Sequence, residues 1–472
     1  MPRIRIAVDP ALKTKFGPEI CWAWRFVLSG IGLAWEEVPA DSANFDIGYF
    51  CNDIPEGKCK IYIRANAAFW QDNSTAGLYE ISKNSPIEKS GRVIFEQDII
   101  FFLFWLLSGR QESRLPKDKH GQVVLAKDER RSKEILALAL ASDTGLKLEK
   151  CLMNSGFAPL VPRWPEGKAM AACVSHDVDY PEIVRWLEPL RIIQRQGLKG
   201  FKGSYEIFSA GRNHWNFTRW VSLEKALGIS SAFYFMATQG SLYKYATGTP
   251  DAFYDIKERR FRGAFNLLNE DGFEIGLHAS YRAFESKDKF SGEKLALEEA
   301  SGREVSGNRH HYLHLNPAAP EETLLLHEKI GLKYDTSLMH ERYLGFRRGS
   351  AWPFYPFSPQ EKREIKVLQL PTVWMDNQLF GYAKDNPGER DEILRSLAKR
   401  VAGQGGCFLI NIHDYVFDEV LFPDWRDTYV RLWEYLSGRR DCWFERPCVV
   451  AGHWAGRYAR ILAESRGLSE GC

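Results

Sequence analysis

The sequence predicts an α/β protein, with a distorted (β/α) barrel of about seven strands in residues 168–472 after a small α/β accessory domain in residues 1–160. From residue 168 onward, short apolar runs alternate with amphipathic stretches of helical spacing, as in a parallel α/β sheet or barrel. The turn-rich segment PRWPEG (Pro162–Gly167) separates the two parts. Open sheets and barrels share this alternation, and polar residues at the strand ends favour the barrel.

The N-terminal part contains the elements of a small α/β domain. RIRIAV, DIGYF and CKIYIRA are strand-like, while PEICWAWRFVLSGIG has helical spacing and ends in glycine. The most apolar segment, IIFFLFWLL (Ile99–Leu107), is too short to span a bilayer, so we expect a buried helix there. We interpret the charged stretch 114–134 as a solvated loop or a wrapping arm. We recognise no phosphate-binding glycine loop and no catalytic cluster in this part.

Seven apolar runs are the strand candidates of the barrel, and amphipathic pieces such as FTRWVSLEKALG and RDEILRSLAKRVAG lie between them. The runs are MAACVS, SAFYFMA (231–237), FEIGLH (273–278), RHHYLHL (309–315), KYDTSL (333–338), KVLQLPTV (366–373) and CFLINIH (407–413).

Composition narrows the function classes. The chain of 472 residues has 63 Lys and Arg against 61 Asp and Glu, a net charge of +2 that gives no reason to expect a nucleic-acid partner. Nine cysteines form no CxxC motif, which argues against a structural zinc ribbon and fits a reducing compartment. The first residues, MPRIRIAVDP, lack the apolar stretch of a secretory signal. We therefore expect a cytoplasmic protein without a transmembrane segment.

The stretch AACVSHDVDY, residues 171–180, carries the first functional signal. If its apolar run is a strand, Asp177 and Asp179 face the same side, with their Cα atoms roughly 7 Å apart. Two carboxylates that close disfavour each other unless a cation or a shared proton lies between them. The runs FEIGL and FLINI end in His278 and His413, and the carboxyl ends of parallel strands meet at one edge. These residues are therefore predicted to form one site.

Five motifs occur in order, namely SHDVD, EIGLHASY, GNRHHYL, LPTVWMD and INIHDY. Together they resemble the motifs of the polysaccharide deacetylase (NodB-like, carbohydrate esterase 4) superfamily. The resemblance is strongest to its cytoplasmic branch, which has a His-Asp-Val-Asp first motif and an extra N-terminal α/β domain. It covers roughly residues 168–450, and it extends more weakly to the segment around IFFLFWLLSGRQE.

The resemblance implies roles for four residues. Asp177 matches the general base that activates water, and Asp179 matches a metal ligand. His278 of the second motif matches a further metal ligand. His413 of the fifth motif matches the general acid that protonates the leaving amine.

Four other residues receive supporting roles from the same resemblance. Arg309 matches the arginine that steadies the base carboxylate, and Asp376 matches the acid that partners that arginine. Trp374 and Tyr312 are candidates for the walls of a sugar pocket.

One departure from the family pattern concerns the metal site. The second motif is usually His-x-x-x-His, and here Arg282 stands where the second histidine would be. A catalytic zinc site commonly has three protein ligands and an open position for water. We choose His311 as the third ligand, and His310 is the alternative. Only one of them can point inward, because adjacent residues of a strand face opposite ways.

The expected function is that of a metal-dependent hydrolase, with Zn²⁺ as the favoured metal, that removes an acetyl group from an N-acetylated sugar or glycan precursor. One alternative is hydrolysis of a non-sugar C–N bond on the same fold. Another is a catalytically silent carbohydrate-binding homologue. The presence of both Asp177 and His413 disfavours it, because a binding module needs neither a general base nor a general acid. A glycosidase is disfavoured, because Asp177 and Asp179 lie on one strand and not on opposite faces of a sugar ring.

Overall fold

The structure, a computed structural model, describes residues 3–55, 57–71, 78–113, 115–125, 135–181, 189–190, 192–193, 197–210, 214–382, 386–419 and 421–467. Its strands are β1 Ile4–Val8, β2 Trp35–Glu37, β3 Ile47–Phe50, β4 Ile61–Arg64, β5 Ile87–Lys89, β6 Arg92–Phe95, β7 Met170–Val178, β8 Ala232–Phe235, β9 Glu274–Ala279, β10 Gly307–His310, β11 Tyr334–Asp335, β12 Phe357–Ser358, β13 Arg363–Glu364, β14 Leu368–Gln369, β15 Thr372–Met375, β16 Cys407–His413 and β17 Cys442–Phe444.

The α-helices cover the sheets and connect their strands. They are α1 Pro10–Ile31, α2 Ala67–Gln71, α3 Ile99–Leu107, α4 Leu140–Asn154, α5 Phe201–Ala210, α6 Phe217–Ala226, α7 Leu242–Ala246, α8 Arg259–Glu270, α9 Lys287–Ser301, α10 Pro320–Lys329, α11 Asp376–Tyr382, α12 Pro387–Gly403, α13 Trp425–Ser437 and α14 Pro447–Glu464. None of these helices is long and apolar enough to cross a membrane.

The N-terminal sheet has the strand order β2-β1-β3-β4-β6-β5 and is parallel except for the hairpin pair β5 and β6. Helix α1 begins at the N-cap Asp9, whose carboxylate accepts N–H groups of the first turn, and ends at Gly32 in the left-handed conformation. Every residue of α3 is buried, which confirms the buried helix expected for this apolar segment.

The second sheet is parallel, with the order β14-β11-β10-β9-β8-β7-β16-β15, and β17 adds to the first half of β7. Its two ends are formed by one stretch of chain. At one end of the sheet β14 pairs with β11. Only two residues separate β14 from β15, which pairs with β16 at the other end. The sheet therefore curls into a distorted barrel, and the predicted fold class is confirmed.

All seven predicted strand runs overlap strands of this sheet, but one of them is shifted. The run 309–315 was expected to begin at Arg309, whereas β10 begins at Gly307 and ends at His310. The next three residues, His311–Leu313, form a short 3₁₀ turn. Arg309 and His311 therefore lie at the carboxyl end of a strand and not at its start.

Helix α1 of the N-terminal part contacts the segment 352–355 of the second part. The indole N–H of Trp22 in α1 donates to the carbonyl of Tyr355 at 2.9 Å, and the ring of Phe26 lies 5.7 Å from that of Trp352. The predicted division into residues 1–160 and 168–472 stays a prediction.

The end of the described chain returns to the N-terminal sheet. The N–H of Arg466 donates to the carbonyl of Trp35 at 2.8 Å, and its own carbonyl accepts the N–H of Glu37 at 3.1 Å. These bonds cover the outer edge of β2, so the order of the sheet depends on a segment far away in sequence.

Candidate metal and catalytic site

The register of the strands places the predicted site residues at the same height along neighbouring strands. His413 lies opposite Asp177 in the pairing of β16 with β7, and Arg309 lies opposite His278 in the pairing of β10 with β9. Asp179 follows β7 directly. All of these side chains are buried at the carboxyl edge of the curled sheet. Parallel strands expose their carboxyl ends at one edge, which is where such folds place their chemistry.

Asp179, His278 and His311 form what we call the metal cluster, in which one ligand atom from each residue lies within 4.8 Å of the others. His278 Nε2 is 3.2 Å from Asp179 Oδ1, and His311 Nε2 is 3.7 Å from Asp179 Oδ2. His278 Nδ1 is 2.8 Å from the carbonyl oxygen of Arg309. Because a carbonyl only accepts, Nδ1 donates to it, and Nε2 is the ring nitrogen that faces Asp179.

These donors fit a divalent metal. Within the described part of the chain, the buried Asp179 Oδ1 has no hydrogen-bond partner, although His278 Nε2 lies beside it. Burial opposes the charge on Asp179, but His311 and His278 outweigh it and lower the pKa of this carboxyl. Two imidazole nitrogens and one carboxylate oxygen are a common ligand set of catalytic zinc.

Asp177 is held by neutral and cationic donors. Arg309 donates to its Oδ1 at 2.7 Å and Asn411 Nδ2 donates to its Oδ2 at 2.8 Å. Arg309 also donates to Asn411 Oδ1 at 2.6 Å and to Ser175 Oγ at 2.9 Å. Burial would raise the pKa of Asp177, but the Arg309 guanidinium outweighs it, so the net pKa lies below its usual value. The carboxylate is therefore ionised and fixed in orientation.

His413 is paired with Asp376, which corrects the expectation that Asp376 partners Arg309. Asp376 Oδ2 lies 2.8 Å from His413 Nδ1 and accepts the backbone N–H of His413 at 3.0 Å. The strand order explains the difference, because Asp376 follows β15, which is the neighbour of β16. Burial alone would lower the pKa of His413, but the charge and hydrogen bond of Asp376 outweigh it and raise the pKa to about 10.

His310 and Arg282 lie outside the cluster. His310 Nε2 is 2.8 Å from His327 Nε2 on the other side of β10, as strand alternation requires. Arg282 has a largely exposed side chain that pairs with Glu285 at 3.0 Å. Of the two neighbouring histidines that were considered, the structure places His311 beside Asp179.

Trp374 does not line a pocket, contrary to the sequence-based expectation. Its side chain is fully buried and its ring stacks on that of Tyr429 at 5.3 Å. Strand β15 turns this residue into the apolar core between the sheet and its covering helices. Tyr312 is half-buried, and its ring centroid lies 4.7 Å from that of His311. Its role in binding a substrate stays a prediction.

Residues 115–125, which we call the arm, lie against the turn that carries His311. Gln122 Nε2 donates to the carbonyl oxygens of Tyr312 at 3.2 Å and Leu313 at 2.8 Å. The ring of His120 lies 4.7 Å from that of Tyr312. Of the alternatives for the stretch 114–134, a wrapping arm describes this portion, and residues 114 and 126–134 lie outside the described residues.

Sequence reasoning missed two residues of the site. Asn411 holds both Arg309 and Asp177, and it stands two positions before His413, so the period of two along a strand could have indicated it. Asp251 lies 3.5 Å from His311 Nδ1 and accepts the backbone N–H of Tyr281 at 2.7 Å. Asp251 follows no predicted strand, and no local sequence pattern indicates that it belongs to the site.

No protein-family model matches the chain, and no curated protein matches it. A "probable polysaccharide deacetylase" of Pseudomonas aeruginosa PAO1 is 16% identical, with 65% of this chain and 97% of that chain covered and a TM-score of 0.42. The PuuE allantoinase is 16% identical, with 65% and 96% covered and a TM-score of 0.43. A peptidoglycan deacetylase of Bacillus subtilis is 12% identical, with 64% and 98% covered and a TM-score of 0.30. At these values the likeness bears on neither substrate nor mechanism. The solved structures similar to this chain thus include proteins described as polysaccharide and peptidoglycan deacetylases and one described as an allantoinase.

Proposed function

We propose that the protein is a metal-dependent amide hydrolase that removes an acetyl group from an N-acetylated sugar or glycan precursor. The observation that supports this most is the placement of the metal cluster between two proton-transferring groups. Asp177 Oδ2 is 3.9 Å from His278 Nε2, and His413 Nε2 is 3.5 Å from Asp179 Oδ2. A base, a metal site and an acid therefore meet in one buried space.

The metal cluster would hold a divalent ion, for which Zn²⁺ is the favoured identity from its ligand types. When bound, such an ion lowers the pKa of water towards about 7 and polarises a carbonyl group. His278 is oriented for this by the Arg309 carbonyl, and His311 faces Asp251 with its second nitrogen. Such outer contacts fix the ring orientation of metal-binding histidines.

Asp177 would take the proton from the attacking water. Its pKa lies below the usual value, so the carboxylate is unprotonated at neutral pH and ready to accept. Arg309 and Asn411 each bond one of its oxygens and leave a second lone pair on each. This arrangement fixes the direction in which the proton is accepted.

His413 would donate a proton to the leaving nitrogen. With its pKa raised to about 10, the imidazolium is the main form at neutral pH. Asp376 accepts from Nδ1, so the donating nitrogen is Nε2, which points towards the cluster. An amine is a poor leaving group unless it is protonated as the C–N bond breaks. The products would be acetate and a free amino group.

The test begins with the purified full chain, on which bound metals are measured before and after dialysis against a chelator. Acetate release from a panel of N-acetylated sugars and from non-sugar N-acetyl amides is then followed with and without added Zn²⁺. The proposal expects zinc to bind with about one equivalent and acetate to be released from an N-acetylated sugar. Release from non-sugar amides alone would move the substrate to that class. A protein that binds sugars without metal or turnover would overturn the proposal in favour of a silent homologue.

A further inference from the structure

The turn after β10 has an unusual backbone. Tyr312 and Leu313 have φ values of 55° and 52°, and no other two adjacent non-glycine residues in the described part of the chain share a positive φ. Residues with a Cβ atom adopt this left-handed conformation only at a cost, so the surroundings must hold it in place. The pair follows His311 directly, so its conformation sets the direction of the backbone after the third candidate ligand.

Gln122 of the arm makes the contacts that hold this pair. Its amide nitrogen has two N–H donors, and it donates to the carbonyl oxygens of both Tyr312 and Leu313. Gln122 is 6% exposed, so water does not readily replace these bonds. One side chain from the N-terminal part therefore bonds both carbonyls of the left-handed pair, and the Leu313 carbonyl also accepts the N–H of Leu315 at 3.1 Å.

The arm presents Gln122 in a fixed geometry. Asp118 Oδ1 accepts the backbone N–H groups of His120 at 2.9 Å and Gln122 at 3.0 Å. His120 Nδ1 lies 2.9 Å from the hydroxyl oxygen of Tyr281. The ring of Tyr281 in turn stacks on His314 at 3.9 Å, just past the left-handed pair. The arm is thus joined to the turn at the left-handed pair itself and, through Tyr281, at His314 just after it.

We propose that Gln122 is a positioning residue for the metal cluster, so that the metal affinity of the barrel depends on a residue of the N-terminal part. The inference rests on the proposed function, because it concerns the same site. Without the amide donors, the left-handed pair relaxes towards an ordinary conformation and His311 loses its fixed direction towards Asp179. Gln122 itself touches neither metal nor substrate.

The test measures the affinity for Zn²⁺ of the metal-free full chain by competition with a chromophoric chelator, and the absorption spectrum of the Co²⁺ form. Gln122→Met keeps the length of the side chain and removes both donors. We expect the affinity for Zn²⁺ to fall about 10-fold or more, within the range typical of lost outer contacts, and the Co²⁺ spectrum to change. The matched control is Gln404→Met. Gln404 Nε2 also has two acceptors, the Leu138 carbonyl at 2.9 Å and Asp143 Oδ1 at 2.7 Å, and Gln404 precedes β16 at the end opposite to His413.

A rescue variant separates positioning from general destabilisation. Glycine adopts positive φ without a steric cost, so Tyr312→Gly in the Gln122→Met background should restore most of the affinity for Zn²⁺. Unchanged affinity in Gln122→Met, an equal loss in Gln404→Met, or no recovery in the double variant would each overturn the inference. Those outcomes leave the proposed function intact. An unaltered protein that binds no zinc would overturn the proposed function and this inference together.

Discussion

Asp177 accepts hydrogen bonds on both carboxylate oxygens and lies outside the metal cluster. Asp177→Asn should therefore keep the bound metal and lose about 10²–10⁴-fold in turnover, the usual contribution of general-base assistance. Metal content and acetate release are measured on the same preparation. Asp427→Asn, at an exposed carboxylate, is the control. Full turnover in Asp177→Asn would remove this residue from the mechanism.

His413 and Asp376 should behave as a pair. His413→Ala is expected to depress hydrolysis of amides more than that of activated esters, because a good leaving group needs little protonation. Asp376→Asn should lower the pKa of His413 from about 10, since the carboxylate charge that raises it is gone. An NMR titration of the imidazole checks the second expectation, and rates on matched amides and esters check the first. Equal losses on both substrate types would make His413 a structural residue.

His311 and His310 provide an internal comparison at adjacent positions. His311→Ala should lower metal occupancy as much as His278→Ala does, because each removes one of three ligands. His310→Ala should retain the metal, although it removes the partner of His327 Nε2 and lowers stability. Metal analysis after gel filtration, together with thermal unfolding, distinguishes the two effects. Loss of metal in His310→Ala alone would reverse the assignment.

At the scale of elements, a buried ion pair joins the turn Arg110–Glu112 to the barrel. Arg347 donates to both carboxylate oxygens of Glu112 at 3.0 Å. Burial would raise the pKa of Glu112, but Arg347 and Arg348 outweigh it and lower the pKa from 4.5 to about 2. The folded pKa is depressed, so the contribution to stability is complete above pH 4.5 and is lost as the pH falls towards 2.

Glu112→Gln should therefore lower the free energy of unfolding at pH 7 by about 3–5 kcal/mol, because the charge of Arg347 is left buried without its partner. The difference from the unaltered protein should shrink as the pH is lowered through 4.5. Urea unfolding at several pH values measures both effects. Glu80→Gln is the control, since Glu80 pairs with Lys83 on the surface and exposed pairs contribute about 0–1 kcal/mol. A pH-independent difference would contradict the assignment.

The elements also show what a sequence can and cannot predict. The barrel strands are predictable because buried parallel strands are continuous apolar runs. The choice between His310 and His311 was argued from strand alternation, whereas β10 ends at His310 and His311 begins a 3₁₀ turn. The resemblance predicts Arg309 as the partner of Asp376, whereas strand order places Asp376 beside His413. Trp374 is expected in the wall of a pocket but lies in the core. A strand that is apolar on both faces has no pattern that indicates which face borders a pocket. The arm has no hydrophobic period, so its place over Tyr312 was not predictable.

At the scale of the whole molecule, the two sheets are coupled through side chains as well as through the core. The proposed dependence of the site on Gln122 belongs to this scale, because the arm lies in the N-terminal part and the ligands lie in the barrel. The Glu112–Arg347 pair crosses the same boundary. A destabilising change in the N-terminal part should consequently weaken metal binding at a distance, more strongly when it affects the arm.

The segment that covers β2 has a consequence for biosynthesis. Trp35 and Ser465 are 430 positions apart. The outer edge of β2 therefore stays unpaired while the ribosome makes the intervening chain. At about 5–20 residues per second, synthesis of this interval takes roughly 20 to 90 s. An unpaired strand edge can pair with another chain during such a delay. The nascent protein should therefore depend on chaperones until residue 466 has left the ribosome tunnel.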